Sequence, residues 1–321
     1  VTATIQAPPA QPQPAAKKTK PTLSDRARAE RALGWKLAGP AWGIMLLVTA
    51  YPIADALYLS FFNYRITDPN GKSFIFLRNY GVILKDPLWW QSVEVSVIIM
   101  VVTVVIEFVL GMAIAMLMNR IVIPKRTLRT VVLIPYSIIT VTSAYGWQYA
   151  FQPSTGFIDH WLHWITFGAF NSQYDWFGSH WPAMVAICFS EIWKTTPFMS
   201  LLLLAGLAQV PGELQEAAMV DGATFWERLR RVTLPAMKGA IMVALLFRAL
   251  DAFRIFDNIY IMTNGAQNTE SVGVLAFQQT ITRSEIGLGS AISILLFFCV
   301  IIICFVFIKI FKTDLSSTRG E

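Results

Sequence analysis

Four charged residues, Arg248, Asp251, Arg254 and Asp257, alternate in sign at three-residue spacing inside the apolar stretch 239–262. In hydrocarbon each such group is costly unless paired or hydrated. The row therefore reads either as an ion-pair ladder between successive helical turns or as the polar lining of a transport path. Each three-residue step falls about 60° short of a full turn, so an unbroken helix would spread the four over half its circumference and could not aim them all at one cavity. Glu191 and Lys194 repeat the pattern in the stretch 182–208, while Asp55, Glu94 and Glu107 are expected near span ends or at contacts between helices. A neutral polar solute would call for hydrogen-bonding groups and aromatic faces rather than a field of one sign. Tyr145, Trp147, Gln148 and Tyr149, then Trp193, then Asn258 and Tyr260 supply such groups, although packing alone could account for any one of them. With Lys194, Asp251, Arg254 and Asp257 they are the candidates for a substrate path.

Other chemistry is missing. No G-x-x-x-x-G-K-[ST] phosphate loop occurs, so an energy source must reside in another subunit. No nucleophile–base signature is present, and no catalytic residue is expected. Cys188, Cys299 and Cys304 all fall within apolar stretches, which speaks against a disulfide framework or a zinc site. His160 and His163 would lie one helical turn apart but lack a third ligand nearby, so no metal is expected.

The elements that hold these groups must cross a membrane. Of 321 residues 55% are apolar and 14% charged, against about 25% charged in soluble proteins; the charged shell of a cytosolic domain is absent. Apolar stretches near the ~20 residues that span a bilayer recur at 37–62, 92–118, 130–151, 182–208, 239–262 and 288–307. None alternates with period two, so the fold class is all-α, a polytopic membrane protein of six transmembrane helices over residues 35–311. Lys and Arg number 18 in the N-terminal arm, the second and fourth connections and the tail, against five in the other connections. By the positive-inside bias both termini are expected in the cytoplasm, and the net +6 is an orientation signal rather than a nucleic-acid footprint. Residues 1–34, rich in Pro, Ala, Gln and Lys, read as a disordered cytosolic arm, and 312–321 as a cytosolic tail. The aromatic connection 152–181 reads as a short element at the outer headgroup level, with an outer partner as the alternative.

The connection 210–238 is the most informative. Pro211 suits a helix start, Glu213 to Ala218 are helix formers, Gly222 can supply a turn, and Thr224 with Glu227 forms a capping-box pattern that begins a second helix ended by Pro235. Within this hairpin, 211–235, Glu216-Ala217-Ala218, Asp221-Gly222-Ala223 and Val232-Thr233-Leu234-Pro235 resemble the EAA motif of permease subunits of binding-protein-dependent ABC importers, Val232 standing where Ile is usual. Trp193-Lys194 and the segment from Phe253 to Thr263 are similar to the carbohydrate-importing, maltose-permease-like branch, nearest to its trehalose importers.

That resemblance implies a type I ABC-importer permease fold and a sugar cargo, a disaccharide. It implies that Glu216, Ala217, Ala218, Asp221 and Gly222 form a coupling helix docked on an ATP-binding subunit. The partners would be a second homologous permease, two ATP-binding subunits that hold ATP and Mg, an extracytoplasmic sugar-binding protein and membrane lipid. No cofactor is expected in this chain and no nucleic acid as partner; the location would be the plasma membrane. One departure is Asn264-Gly265-Ala266-Gln267, where such permeases commonly carry a Gly-Gly-Pro turn, although Gly265 could still make it. The alternative is an ion- or proton-coupled secondary carrier, with a membrane-integral enzyme a more distant one.

Overall fold

The computed structural model describes residues 25–68, 71–120 and 125–311, so the bulk of the expected arm and the tail 312–321 lie outside the described residues. Two compact units are distinguished, 1–54 and 55–321. The helix α1 (Asp25–Ser60) begins inside the segment read as a disordered arm. Along it Leu33, Trp35, Leu37, Trp42 and Leu47 are exposed, a surface that suits hydrocarbon rather than water.

The second unit continues through a minimal antiparallel hairpin, β1 (Phe62–Asn63) with β2 (Ser73–Phe74), in which Phe62 faces Phe74. Then come α2 (Arg78–Lys85), the long α3 (Pro87–Arg120), α4 (Lys125–Val132), α5 (Ile134–Ser137), α6 (Thr140–Ala150) and α7 (Ile158–Ile165). The helix α8 (His180–Leu207) is followed by α9 (Gly212–Val220) and α10 (Phe225–Arg228), a π-turn at Leu229–Thr233 and α11 (Leu234–Ala236). The chain closes with α12 (Lys238–Phe253), α13 (Asp257–Met262), α14 (Val272–Phe277) and α15 (Ile286–Phe311).

Small residues set the closest helix approaches, as expected where lipid supplies no hydrophobic drive between helices. A side chain at Gly111 on α3 would come within 2.9 Å of Met199 on α8, and one at Gly206 on α8 within 2.6 Å of Ala240 on α12. The apolar core along this seam includes Met112, Ala115, Met118, Leu203 and Ala244, with a second cluster around Ile99, Ile187 and Ile259. The segment after β1 is strapped across the start of α15. Gly287 N–H donates to the Tyr64 carbonyl at 3.0 Å, Ile66 N–H to the Ser284 carbonyl at 3.1 Å, and Arg65 pairs with Glu285. Only glycine fits at 287, because a Cβ there would sit 2.0 Å from the Phe62 carbonyl oxygen.

Among the described residues three helices are long and apolar enough to cross a bilayer unbroken, at Ala32–Ser60, Pro87–Arg120 and Ile286–Ile310, or four if the bent pair α8 and α9 is taken as one. Among the described residues the six expected transmembrane helices are therefore not each a single unbroken helix. The stretch 130–151 is divided into α4, α5 and α6, because Pro135 lacks a donor and Ile138 and Ile139 are extended. The stretch 239–262 breaks after Phe253 and resumes at Asp257. Irregular backbone at this depth is tolerated where it lines a polar cavity, and both breaks do so.

Candidate functional site

At the second break the chain passes through Arg254-Ile255-Phe256, and Phe256 leaves helical geometry at φ −132°, ψ −60°. The Ile255 carbonyl, freed from the helix, accepts the Ser271 hydroxyl at 2.8 Å. At the first break the Tyr136 and Ile138 carbonyls are freed in the same way, and Lys194 Nζ donates to both, at 3.3 and 2.7 Å. Lys194 thus holds a broken segment open and forms no ion pair with Glu191 among the described residues, contrary to the i, i+3 reading. Its ammonium also lies 5.6 Å from the centre of the Tyr136 ring.

Between the breaks opens a cavity of about 420 Å³ lined by Tyr136, Thr140, Glu191, Lys194, Thr195, Asp251, Arg254, Asp257 and Asn258, with Ile255 and Phe256 at its wall. Asp251, Arg254 and Asp257 share it because α12 stops at Phe253, so the geometric objection for an unbroken helix does not apply to them. Arg254 turns its Nε back to the Leu250 carbonyl at 3.1 Å instead of pairing with Asp257.

Arg248 lies behind the cavity wall, 1% exposed, and is the hub of the site. Its Nε donates to Glu107 Oε2 at 2.6 Å and its Nη2 to Glu107 Oε1 at 2.9 Å, the two-pronged geometry that suits guanidinium and carboxylate. Nη2 also reaches Glu191 Oε1 at 3.3 Å and Thr195 Oγ1 at 3.1 Å, and Nη1 reaches Asp251 Oδ2 at 2.5 Å. Glu191 Oε2 accepts from Asn258 Nδ2 at 2.6 Å. One cation therefore ties α3, α8 and α12, and through Asn258 also α13. The Arg248–Asp251 step of the expected ladder forms; Glu107, read from sequence only as a helix contact, is its main anchor 141 residues away. Asn258 Oδ1 is buried without a partner, an acceptor at the cavity that a hydroxyl could satisfy.

The aromatic candidates divide. Trp147 and Trp193 meet edge to face at 5.3 Å and line a separate, largely apolar cavity of about 270 Å³ with Ile138, Gly146 and Phe157. Gln148 Nε2 donates to the Ile261 and Met262 carbonyls and so ties α6 to α13. Tyr260 stacks on Phe256, 5.3 Å between ring centres. Tyr145 and Tyr149 are exposed on α6 and line neither cavity.

The hairpin forms as its residues require. Pro211 caps α9, and α9 leaves α8 at a bend of 76°. Gly222 adopts φ +78°, with nothing within 4 Å of its would-be Cβ. Glu227 accepts from the Thr224 N–H at 2.9 Å and its hydroxyl at 2.8 Å; these bonds hold its carboxyl below the usual carboxylate range. Pro235 does not end the second helix as expected. The π-turn Leu229–Thr233 absorbs the missing donor, and the chain runs on through α11 into α12. Glu216, Ala217, Asp221 and Gly222 are exposed and Ala218 half-buried, with Met219, Val220, Phe225 and Trp226 presenting apolar surface around them. Where the sequence departs from the Gly-Gly-Pro turn, Gly265 makes the turn at φ +80°, beside Asn264, Gln267 and Asn268, also left-handed.

Comparison with known proteins follows the same lines. Residues 107–313 match the family model described as binding-protein-dependent transport system inner membrane component. The chain is 50% identical over 293 residues to the trehalose transport system permease protein SugA of Mycobacterium tuberculosis, covering 91% of this chain and 92% of that protein. It is 37% identical over 289 residues to the trehalose/maltose transport system permease protein MalF of Thermococcus litoralis, covering 89% and 96%. Its fold is similar, with a TM-score of 0.74 and 19% identity, to a chain in the crystal structure of a bacterial ABC transporter involved in the import of the acidic polysaccharide alginate, covering 91% of this chain and 100% of that one.

Proposed function

Since the chain belongs to the family of binding-protein-dependent transport system inner membrane components, we propose that it is a sugar-importing permease subunit whose cargo is the disaccharide trehalose. Membership makes it a membrane-embedded transport subunit rather than an enzyme, with ATP hydrolysis the task of a separate subunit, and sets aside the ion-coupled carrier. The cargo reading is supported by the names of its relatives. The observation that carries the path is the polar cavity at the paired helix breaks, where charges of both signs, an amide and hydroxyls converge and no single-sign field develops. Such a lining suits a neutral polyol.

Coupling follows from continuity of the chain. The hairpin stands between α8, which carries Glu191, Lys194 and Thr195, and α12, which carries Arg248 and Asp251. Glu191 lies about 24 Å up α8 from Leu207, and Arg248 about 15 Å along α12 from Lys238. A push on the α9 hairpin by closing ATP-binding subunits would tilt both cavity walls at once. We assign the docking surface to Glu216, Ala217, Ala218, Asp221 and Gly222, the hairpin and both termini to the cytoplasm, and the remaining partners to a second permease, two subunits binding ATP and Mg, and an extracytoplasmic sugar-binding protein. The path is tested by uptake kinetics of Asp257→Asn and Asn258→Ala. Each should raise the half-saturating trehalose concentration several-fold with the binding protein's own affinity unchanged; unaltered kinetics in both would remove the cavity from the path.

A further inference from the structure

A third, smaller cavity of about 80 Å³ lies where the end of α3 meets the hairpin, lined by Asn119, Arg120, Gln215, Phe225, Arg228 and Thr233 among others. It is distinct from the path cavity and shares no residue with it. Two guanidinium groups border it, and among the described residues no carboxylate pairs with either. Arg120 rests on the Phe225 ring at 5.2 Å, which fixes its position without neutralising it. Arg228 Nε is buried with no hydrogen-bond partner. Arg228 is only half-buried overall, but a donor on a cationic group that is shielded from water gains from an acceptor, so the place suits an anion. Asn119 and Gln215 add carboxamide donors on the same walls.

The position narrows the ligand. The apolar run of α3 ends at Met118, and Asn119 and Arg120 are the first polar residues after it, which puts the cavity at the headgroup level. Basic pockets between membrane helices at this depth bind phosphate-bearing headgroups. The volume accommodates a tetrahedral oxyanion.

We propose that Arg120 and Arg228 form a phosphate-binding site between α3 and the coupling hairpin, occupied by the headgroup of an anionic phospholipid. A phosphate there bridges a membrane helix to the lever that α10 extends, so the anion stiffens the joint through which the hairpin moves α12. The site needs the assembled importer for its test but does not depend on which sugar is carried.

The test is native mass spectrometry of the purified complex in neutral detergent, titrated in separate arms with dioctanoyl phosphatidylglycerol, dioctanoyl phosphatidylcholine and inorganic phosphate. Phosphatidylglycerol should bind at least about tenfold tighter than phosphatidylcholine, and Arg120→Gln or Arg228→Gln should each weaken it roughly tenfold, the loss of one charge-assisted contact. Arg230→Gln, the same charge change at an exposed position of the hairpin, should leave it within about twofold. If Arg228→Gln fails to assemble, Arg228→Lys should assemble and bind with intermediate strength. Binding of inorganic phosphate alone with the same dependence on both arginines would keep the site and transfer it to a free anion. Equal binding by parent and both variants, or an equal loss in Arg230→Gln, would overturn the proposal.

Discussion

Replacing Arg248 with Gln should be the most damaging single change in the membrane-embedded part of the chain, and replacing Glu107 as well should repair part of the damage. Arg248 is 1% exposed and Glu107 0%, and the pair is held by two contacts of 2.6 and 2.9 Å. Removing one partner of such a pair strands the other charge and costs about 3–5 kcal/mol, or two to more than three orders of magnitude in the folding equilibrium. Glu191 loses the same cation at 3.3 Å, whereas Asp251 is exposed to the cavity and can hydrate. The double variant Glu107→Gln with Arg248→Gln carries no stranded charge at the 107 position, and its loss should be smaller than the sum of the single losses by at least about 1–2 kcal/mol. Reversible unfolding of the four species in mixed micelles, taken as a double-mutant cycle, reads this coupling directly. Additive losses, or an Arg248→Gln variant within about 1 kcal/mol of the parent, would refute the view that one buried guanidinium holds three helices together.

Three further outcomes follow from other parts of the molecule. Gly222→Val places a β-branched residue at φ +78° with open space around it; strain of about 1–2 kcal/mol should leave membrane levels near the parent while trehalose uptake falls to background, and normal uptake would remove the hairpin from coupling. Gly287→Ala should displace the strap formed by Tyr64, Arg65 and Ile66, since its Cβ would lie 2.0 Å from the Phe62 carbonyl; a loss of roughly 1–3 kcal/mol and faster hydrogen exchange at Ile66 and Gly287 are expected, and unchanged exchange would contradict the contact. Burial holds the Glu270 carboxyl above the usual carboxylate range, with Arg283 opposing and Asp86 reinforcing the shift. The folded chain therefore binds that proton more tightly than the unfolded chain, and the stability tied to it is full at low pH and declines as pH rises above the unfolded carboxylate value of about 4.3. Glu270→Gln should flatten that decline and raise the thermal midpoint at pH 7, and a slope identical to the parent would show that the carboxyl is not the source.

Much of the fold was legible because its cause is local. The apolar runs behind α1, α3, α8 and α15 announce themselves by length, and the hairpin by Pro211, Gly222 and the Thr224–Glu227 pair. The break at Pro135 carried a signal too, a proline inside an apolar run. The break after Phe253 carried none: the stretch from Leu250 to Asp257 contains no glycine or proline. It is imposed from outside, by Ser271 on the Ile255 carbonyl and by the Asn258–Glu191 bond. For the same reason the candidates at Asp251, Arg254 and Asp257 could be chosen by type while their shared cavity could not be foreseen. The Arg248–Glu107 pair spans 141 residues, a contact that spacing along one helix has no means to express. Lys194 was read as a partner of Glu191 when its role is to satisfy carbonyls that only a broken helix exposes.

A sugar path driven by a separate ATPase is defined by what powers uptake. Proteoliposomes containing the complete complex, with the trehalose-loaded binding protein outside and ATP inside, measure it most directly. Labelled trehalose should accumulate with ATP present and the proton gradient collapsed, and should not accumulate with a proton gradient and no ATP. Uptake that follows the proton gradient, or none of this sugar under either condition, would rule out an ATP-driven trehalose permease.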